Sequence, residues 1–156
     1  MATSSDTWYP ATGFYFKIEV AGITDTSDNS FKEVSGLEVE QGSEKLVEGG
    51  VNDYTWEVPT QVNAGKLVLK RGVCSTKSGL ITWVEDTIKT DYSSPITLKN
   101  IIVKLFDEKG SPMITWTFND ARPVKYSVGD LDSMKNEILV ETLEFKYTFY
   151  TRTYAN

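Results

Sequence analysis

Asp25, Ser27 and Asn29 occupy the first, third and fifth positions of a loop that could offer side-chain oxygens to a calcium ion. The spacing then fails. Ser30 stands where such a loop turns on glycine, and Gly36 stands where a bidentate Glu closes the coordination sphere, so the stretch reads as a solvated turn. Asp130 and Asp132 could hold a metal or divide acid and base work, but nothing in their spacing singles out a pair. Cys74 is the only cysteine and follows Lys70 and Arg71, whose charge could lower its pKa. It has no CxxC partner and reads as a passive thiol. Histidine is absent, which removes the commonest general base, the Ser-His and Cys-His nucleophile pairs, and the usual zinc and haem ligands. No phosphate-binding glycine loop occurs, because Gly49-Gly50 lacks the strand-to-helix setting such a loop needs. The expectation is a protein that is not an enzyme, with no catalytic residue, no metal site and no cofactor.

Composition narrows the class further. The 156 residues, 40% hydrophobic and 12% aromatic, suit one domain with a sizeable core. A single cysteine forbids an intrachain disulfide, and no Asn-x-Ser/Thr sequon occurs, which together favour synthesis in the cytoplasm. Met1 to Pro10 lacks the apolar stretch of a secretory signal, and no apolar run approaches the roughly 20 residues of a spanning helix, so membrane insertion is not expected. A formal net charge of -6 opposes stable binding to nucleic acid.

The elements follow from periodicity. Residues 1–8 form a polar N-terminal arm, and 9–156 one domain. Phe14, Phe16, Ile18 and Val20 alternate with polar residues and predict a half-buried strand; Phe31 to Glu40 resumes an extended pattern with a bend at Gly36. Gln41 to Asn52, rich in glycine and charge, is expected to project as a loop or hairpin arm. Tyr54, Trp56 and Val58 line one face of the returning strand, which Pro59 ends or confines to an edge. Lys66 to Arg71 is a further strand. One segment alone has helical period: Ser78 caps a helix whose stripe is Leu80, Ile81, Trp83, Val84 and Ile88, with Glu85 and Lys89 paired outside.

Ile96 to Phe106 and Met113 to Phe118 predict a hairpin, followed by a short strand at Pro123 to Tyr126. Trp56, Trp83 and Trp116 sit at core phases. The last strand is expected to run from about Glu137 to Tyr154, with inward residues changing parity from Ile138 and Val140 to Leu143, Phe145, Tyr147 and Phe149 through a bulge near Glu141. Its outward set, Glu144, Lys146, Thr148, Tyr150 and Arg152, is expected to form an overhanging edge that another copy must cover. The fold class implied is mainly β: an antiparallel β-barrel with one flanking α-helix.

Tyr9 to Val20, Phe31-Lys-Glu-Val-Ser-Gly-Leu, Val47-Glu-Gly-Gly, Lys66-Leu-Val-Leu-Lys-Arg-Gly, Leu80-Ile-Thr-Trp-Val-Glu-Asp-Thr-Ile, Ala121-Arg-Pro-Val-Lys and Asn136-Glu-Ile-Leu-Val-Glu-Thr-Leu-Glu-Phe follow one another in order. Their succession resembles the tail tube proteins of contractile phages and related injection systems, over nearly the whole chain from Tyr9 to Tyr150. A departure is Leu46-Val47 before Glu-Gly-Gly, where family members often carry an aromatic residue.

The resemblance implies a barrel similar to the type VI secretion tube protein, six copies to a ring, and rings stacked into a hollow inner tube that a contracting sheath drives through a target envelope. It implies as partners further copies of the chain, the sheath, baseplate and tube-cap proteins, and effector cargo in the lumen. On that reading Glu44, Lys45, Glu48, Gly49 and Gly50 belong to an arm that reaches a neighbouring ring. Assembly is expected in the bacterial cytoplasm and action in a phage tail-like particle or virion. A tube-initiating or tube-terminating paralogue and a cargo-carrying ring or adaptor are the alternatives.

Overall fold

A computed structural model describes residues 13, 15–24, 30–47, 49–50, 54–73, 77–90 and 93–155. The strands are β1 (Phe16–Val20), β2 (Glu33–Ser35), β3 (Val39–Leu46), β4 (Trp56–Ala64), β5 (Lys66–Gly72), β6 (Lys99–Phe106), β7 (Pro112–Val128), β8 (Val140–Lys146) and β9 (Phe149–Tyr154), and the helix α1 is Gly79–Lys89. Period-two alternation sets which face each strand buries. Ile18 and Val20, Leu67 and Leu69, Ile101 and Val103, and Leu143 and Phe145 all point inward, while their polar neighbours face solvent. Burial of each such side chain contributes about 1.5–3 kcal/mol.

All ladders are antiparallel, in the order β1-β6-β7-β8-β5-β2, with β9 on the free side of the first half of β7. The barrel wraps around one core and, among the described residues, has no ladder joining β1 to β2. β7 makes the wrap possible. Its first part pairs with β6 and β9, and from Arg122 onward it pairs with β8. The corner is Asp120, whose φ of 53° is uncommon for a residue with a Cβ and whose N–H donates to Asn100 Oδ1 at 3.2 Å. Inward parity passes there from Phe118 to Ala121 and Pro123.

Helix α1 lies over the core. Ser78 caps it by accepting from the Ile81 N–H at 3.2 Å, and Leu80, Trp83 and Val84 are buried. Trp83 stacks on Phe145 at 5.7 Å and donates its indole N–H to the Thr97 carbonyl. Glu85 and Lys89 pair on the outer face, as the i,i+4 spacing predicts, whereas Ile88 is exposed. The hairpin between β6 and β7 turns on Asp107, whose Oδ1 accepts from the N–H groups of Lys109 and Ser111.

Several sequence expectations are corrected. Pro123 to Tyr126 is no separate strand but the far half of β7. Pro59 does not end its strand but lies within β4, an edge strand of a two-stranded sheet, which is the edge placement that its missing donor allows. The last segment is two strands rather than one, broken at Tyr147 and Thr148. No bulge sits at Glu141, because Glu141 is itself the inward residue in phase with Leu143, Phe145 and Tyr147, and Ile138 is exposed. The parity change falls instead at the break: Tyr150 of β9 lies opposite Phe118 and packs on the core, which leaves Phe149 exposed. Trp56 is exposed, not core.

Candidate functional site: sheet margins and a hairpin arm

Among the described residues, three strands of the barrel each have one ladder: β1 with β6, β2 with β5, and β9 with β7. Their other sides carry no ladder among the described residues, and open N–H and C=O groups on a strand margin are the chemistry by which one chain adds to the sheet of another. β8 is different. It pairs with β5 on one side and β7 on the other, so Glu144 and Lys146 do not lie on an edge strand. Thr148 is in the break and donates its N–H to the Asn119 carbonyl. Tyr150 and Arg152 do lie on a margin: Tyr150 turns inward and packs on Phe118 and Tyr147, whereas Arg152 is exposed, its guanidinium lying over the rings of Trp116 and Tyr154. The expected edge therefore reduces to β9, with Thr151 and Thr153 on its outer face.

The arm is a hairpin of β3 and β4 that forms its own two-stranded sheet. It is longer than the glycine content of residues 41–52 suggests, because Val39 pairs with Ala64 at its base. Gly36 is the hinge. Its φ is +87°, and a Cβ there would lie 1.8 Å from the Lys66 carbonyl oxygen, so only glycine lets the chain leave β2 and cross so close to β5. Glu44 and Lys45 stand exposed on opposite faces of β3, Gly49 and Gly50 lie at the tip, and Glu48 falls outside the described residues. Leu46, Tyr54, Trp56, Val58 and Val62 are also exposed, an apolar load that a free hairpin has no reason to carry.

Behind these surfaces lies a polar clamp that the sequence reading missed. Arg71 and Glu141, 1% and 2% exposed, are direct cross-strand partners and form a buried ion pair. Arg71 Nη2 also donates to the helix-capping Ser78 Oγ at 3.0 Å, and the Tyr126 hydroxyl donates to Glu141 Oε2 at 3.1 Å. Four elements are thereby tied together at the start of α1. Burial pushes the Tyr126 hydroxyl above its ordinary pKa, and the Glu141 charge and hydrogen bond push it further. Burial also raises Tyr147, helped by Tyr150 and opposed by a backbone hydrogen bond from Gly65. A signal for the clamp existed: Arg71 and Glu141 each hold an inward phase in a strand of apolar residues.

Of the candidates for metal chemistry, Asp130 and Asp132 are exposed, and Asp132 spends one oxygen on the Met134 N–H. No cluster of potential metal ligands occurs among the described residues. Asp25, Ser27, Asn29 and Cys74, like the N-terminal arm 1–8, lie outside the described residues. No helix among those described is long and apolar enough to cross a membrane.

The chain is similar to a protein in the cryo-EM structure of the anti-feeding prophage (AFP) baseplate, 6-fold symmetrised, with 30% identity, a TM-score of 0.81, and coverage of 94% of this chain and 97% of that one. It is also similar in fold to a chain of an extracellular contractile injection system, the PVC sheath-tube complex in its extended state, at 22% identity and a TM-score of 0.80, each chain being covered to 99%. The fold extends more distantly to Hcp1 from Flavobacterium johnsoniae, at 17% identity and a TM-score of 0.52, covering 91% and 97% of the two chains. No curated protein matches the chain. The model of the T4-like virus tail tube protein gp19 family matches residues 12–151, and with open sheet margins and a projecting hairpin on a mainly β barrel, the chain belongs to that tail tube family.

Proposed function

We propose that this protein is the inner-tube subunit of an extracellular contractile injection particle. Six copies close into a ring through the margins of β1, β2 and β9, and rings stack through the hairpin arm into a hollow tube. The tube lies inside a contractile sheath, starts on a baseplate and ends at a cap, and its lumen carries effector cargo. Assembly takes place in the bacterial cytoplasm, and the particle works outside the producing cell. The protein acts as a passive, rigid needle and catalyses nothing.

The observation that carries this reading is the combination, in one subunit, of unsatisfied sheet margins with an arm that packs on itself and bears exposed Trp56, Val58 and Leu46. Both features are hazards in a monomer and become satisfied when copies join. Six-fold closure is supported by the relative at 30% identity, whose structure is 6-fold symmetrised. That relative comes from a baseplate structure, which favours a second reading as the ring that initiates the tube.

Negative-stain microscopy of the purified full chain separates these outcomes. Long polymers are expected for the tube subunit, and single rings for the initiating paralogue. A chain that stays monomeric at high concentration refutes both. Replacement of the arm by a short turn is expected to abolish stacking and leave rings or folded subunits; full-length tubes from that variant would remove the arm from the account.

A further inference from the structure

Five cations share one solvent face of a protein whose formal net charge is -6. The pairings Arg122 with Lys146 and Lys146 with Lys66 set three of them directly opposite one another across β7, β8 and β5. In the next row Glu144 is shared by Lys66 at 3.4 Å and Lys125 at 3.6 Å, and beyond it Lys70 takes Glu33 at 2.9 Å. Arg122 and Lys146 have no ion pair among the described residues. Like charges on directly opposed cross-strand positions destabilise a sheet. The row is therefore a cost to the isolated subunit that an anionic partner would relieve.

The matching charge is in the same chain. In sequence, the stretch 38–64 that includes β3 and β4 contains Glu38, Glu40, Glu44, Glu48, Asp53 and Glu57 against Lys45 alone. Strand alternation and the pairs Glu44 with Val58 and Leu46 with Trp56 place Glu40, Glu44, Leu46, Trp56 and Val58 on one face, all exposed. Carboxylates there can pair with ammonium and guanidinium groups, and the Trp56 ring can cover a cation, so acidic and aromatic parts of the face call for the same kind of surface.

We propose that the row Arg122, Lys146 and Lys66 is the docking site for the Glu40 and Glu44 face of the hairpin arm of a second copy of this chain. The inference rests on the tube reading above and adds to it the surface on which the arm lands. A sheath segment or an acidic cargo on the same row is an outcome that would replace it.

Two charge-reversed variants and their combination test it: Arg122→Glu with Lys146→Glu, Glu40→Lys with Glu44→Lys, and all four together. Each pair alone is expected to leave the wild-type circular dichroism spectrum but to cut mean tube length by at least about tenfold. The fourfold variant is expected to stack again. Wild-type tube lengths from either pair, or a folded fourfold variant that remains unstacked, overturn the docking. Zero-length carbodiimide cross-linking of mixed isotopically heavy and light wild-type chains gives a second readout that needs no variant to fold. It is expected to join Glu40 or Glu44 of one copy to Lys146 or Lys66 of another. Stacked tubes whose intermolecular links all lie elsewhere overturn the docking alone, whereas a wild-type chain that stays monomeric and yields no such link overturns the tube reading with it.

Discussion

Arg71 and Glu141 are the residues whose roles depend most on one another. Both charges are out of water, so each is tolerable because the other is opposite it. Glu141→Leu strands the guanidinium in an apolar setting and is expected to cost about 3–5 kcal/mol, whereas Arg71→Met combined with Glu141→Leu is expected to recover most of that loss. Urea unfolding of the two variants checks the coupling; a double variant as unstable as the single one would show that the pair itself stabilises the fold. Tyr126 adds a pH signature. Its phenol is held neutral by burial and by Glu141, so above an ordinary tyrosine pKa of 10.0 the folded chain keeps a proton that the unfolded chain has lost. Stability is thus fully present below that pH and falls as pH rises through the raised folded value. Tyr126→Phe is expected to flatten the alkaline limb of a stability profile, leaving the smaller slope that Tyr147 supplies, and at neutral pH to lose about 1–3 kcal/mol through the acceptor it leaves bare on Glu141.

At the scale of elements, two backbone positions decide how the strands are disposed. Gly36 releases the arm from β2, and Asp120 turns β7 from one half of the barrel to the other. Gly36→Ala forces a Cβ into the backbone of Lys66 at a positive φ and is expected to cost at least about 3 kcal/mol, read as a lowered urea midpoint with unchanged slope. A midpoint within error of wild type would mean that the crossing can open without loss. Helix α1, β1, β5 and the turn after Phe106 were legible because each is written in local terms: a capping serine, strict alternation, a Glu108-Lys109-Gly110-Ser111 turn between apolar runs. β7 and the β8–β9 break were not. Both contain a change of inward parity, and alternation counting that takes every apolar residue as inward misplaces such a change, here onto Glu141 and away from Tyr147 and Thr148.

For the molecule as a whole, the body and the arm are energetically separate. β3 and β4 pack chiefly on each other, so replacing residues 40–63 by a two-residue turn removes almost none of the core. Melting temperature is expected to move by no more than about 4–8 °C, the shift that 1 kcal/mol produces in a domain of 60–100 residues, and less in one of this size. A collapse of the melting temperature would place the arm inside the folding unit. Composition and local pattern alone determined that the chain lacks histidine-based chemistry, is mainly β, carries one helix and projects an acidic, glycine-tipped segment, since these follow from side-chain type and nearest-neighbour periodicity. Tertiary structure decided which margins stay open, that Glu141 faces Arg71 rather than solvent, and that Arg122, Lys146 and Lys66 share a row. Those facts depend on which strands become neighbours across long stretches of chain, and strand pairing is settled by closure of one common core, which no local window contains.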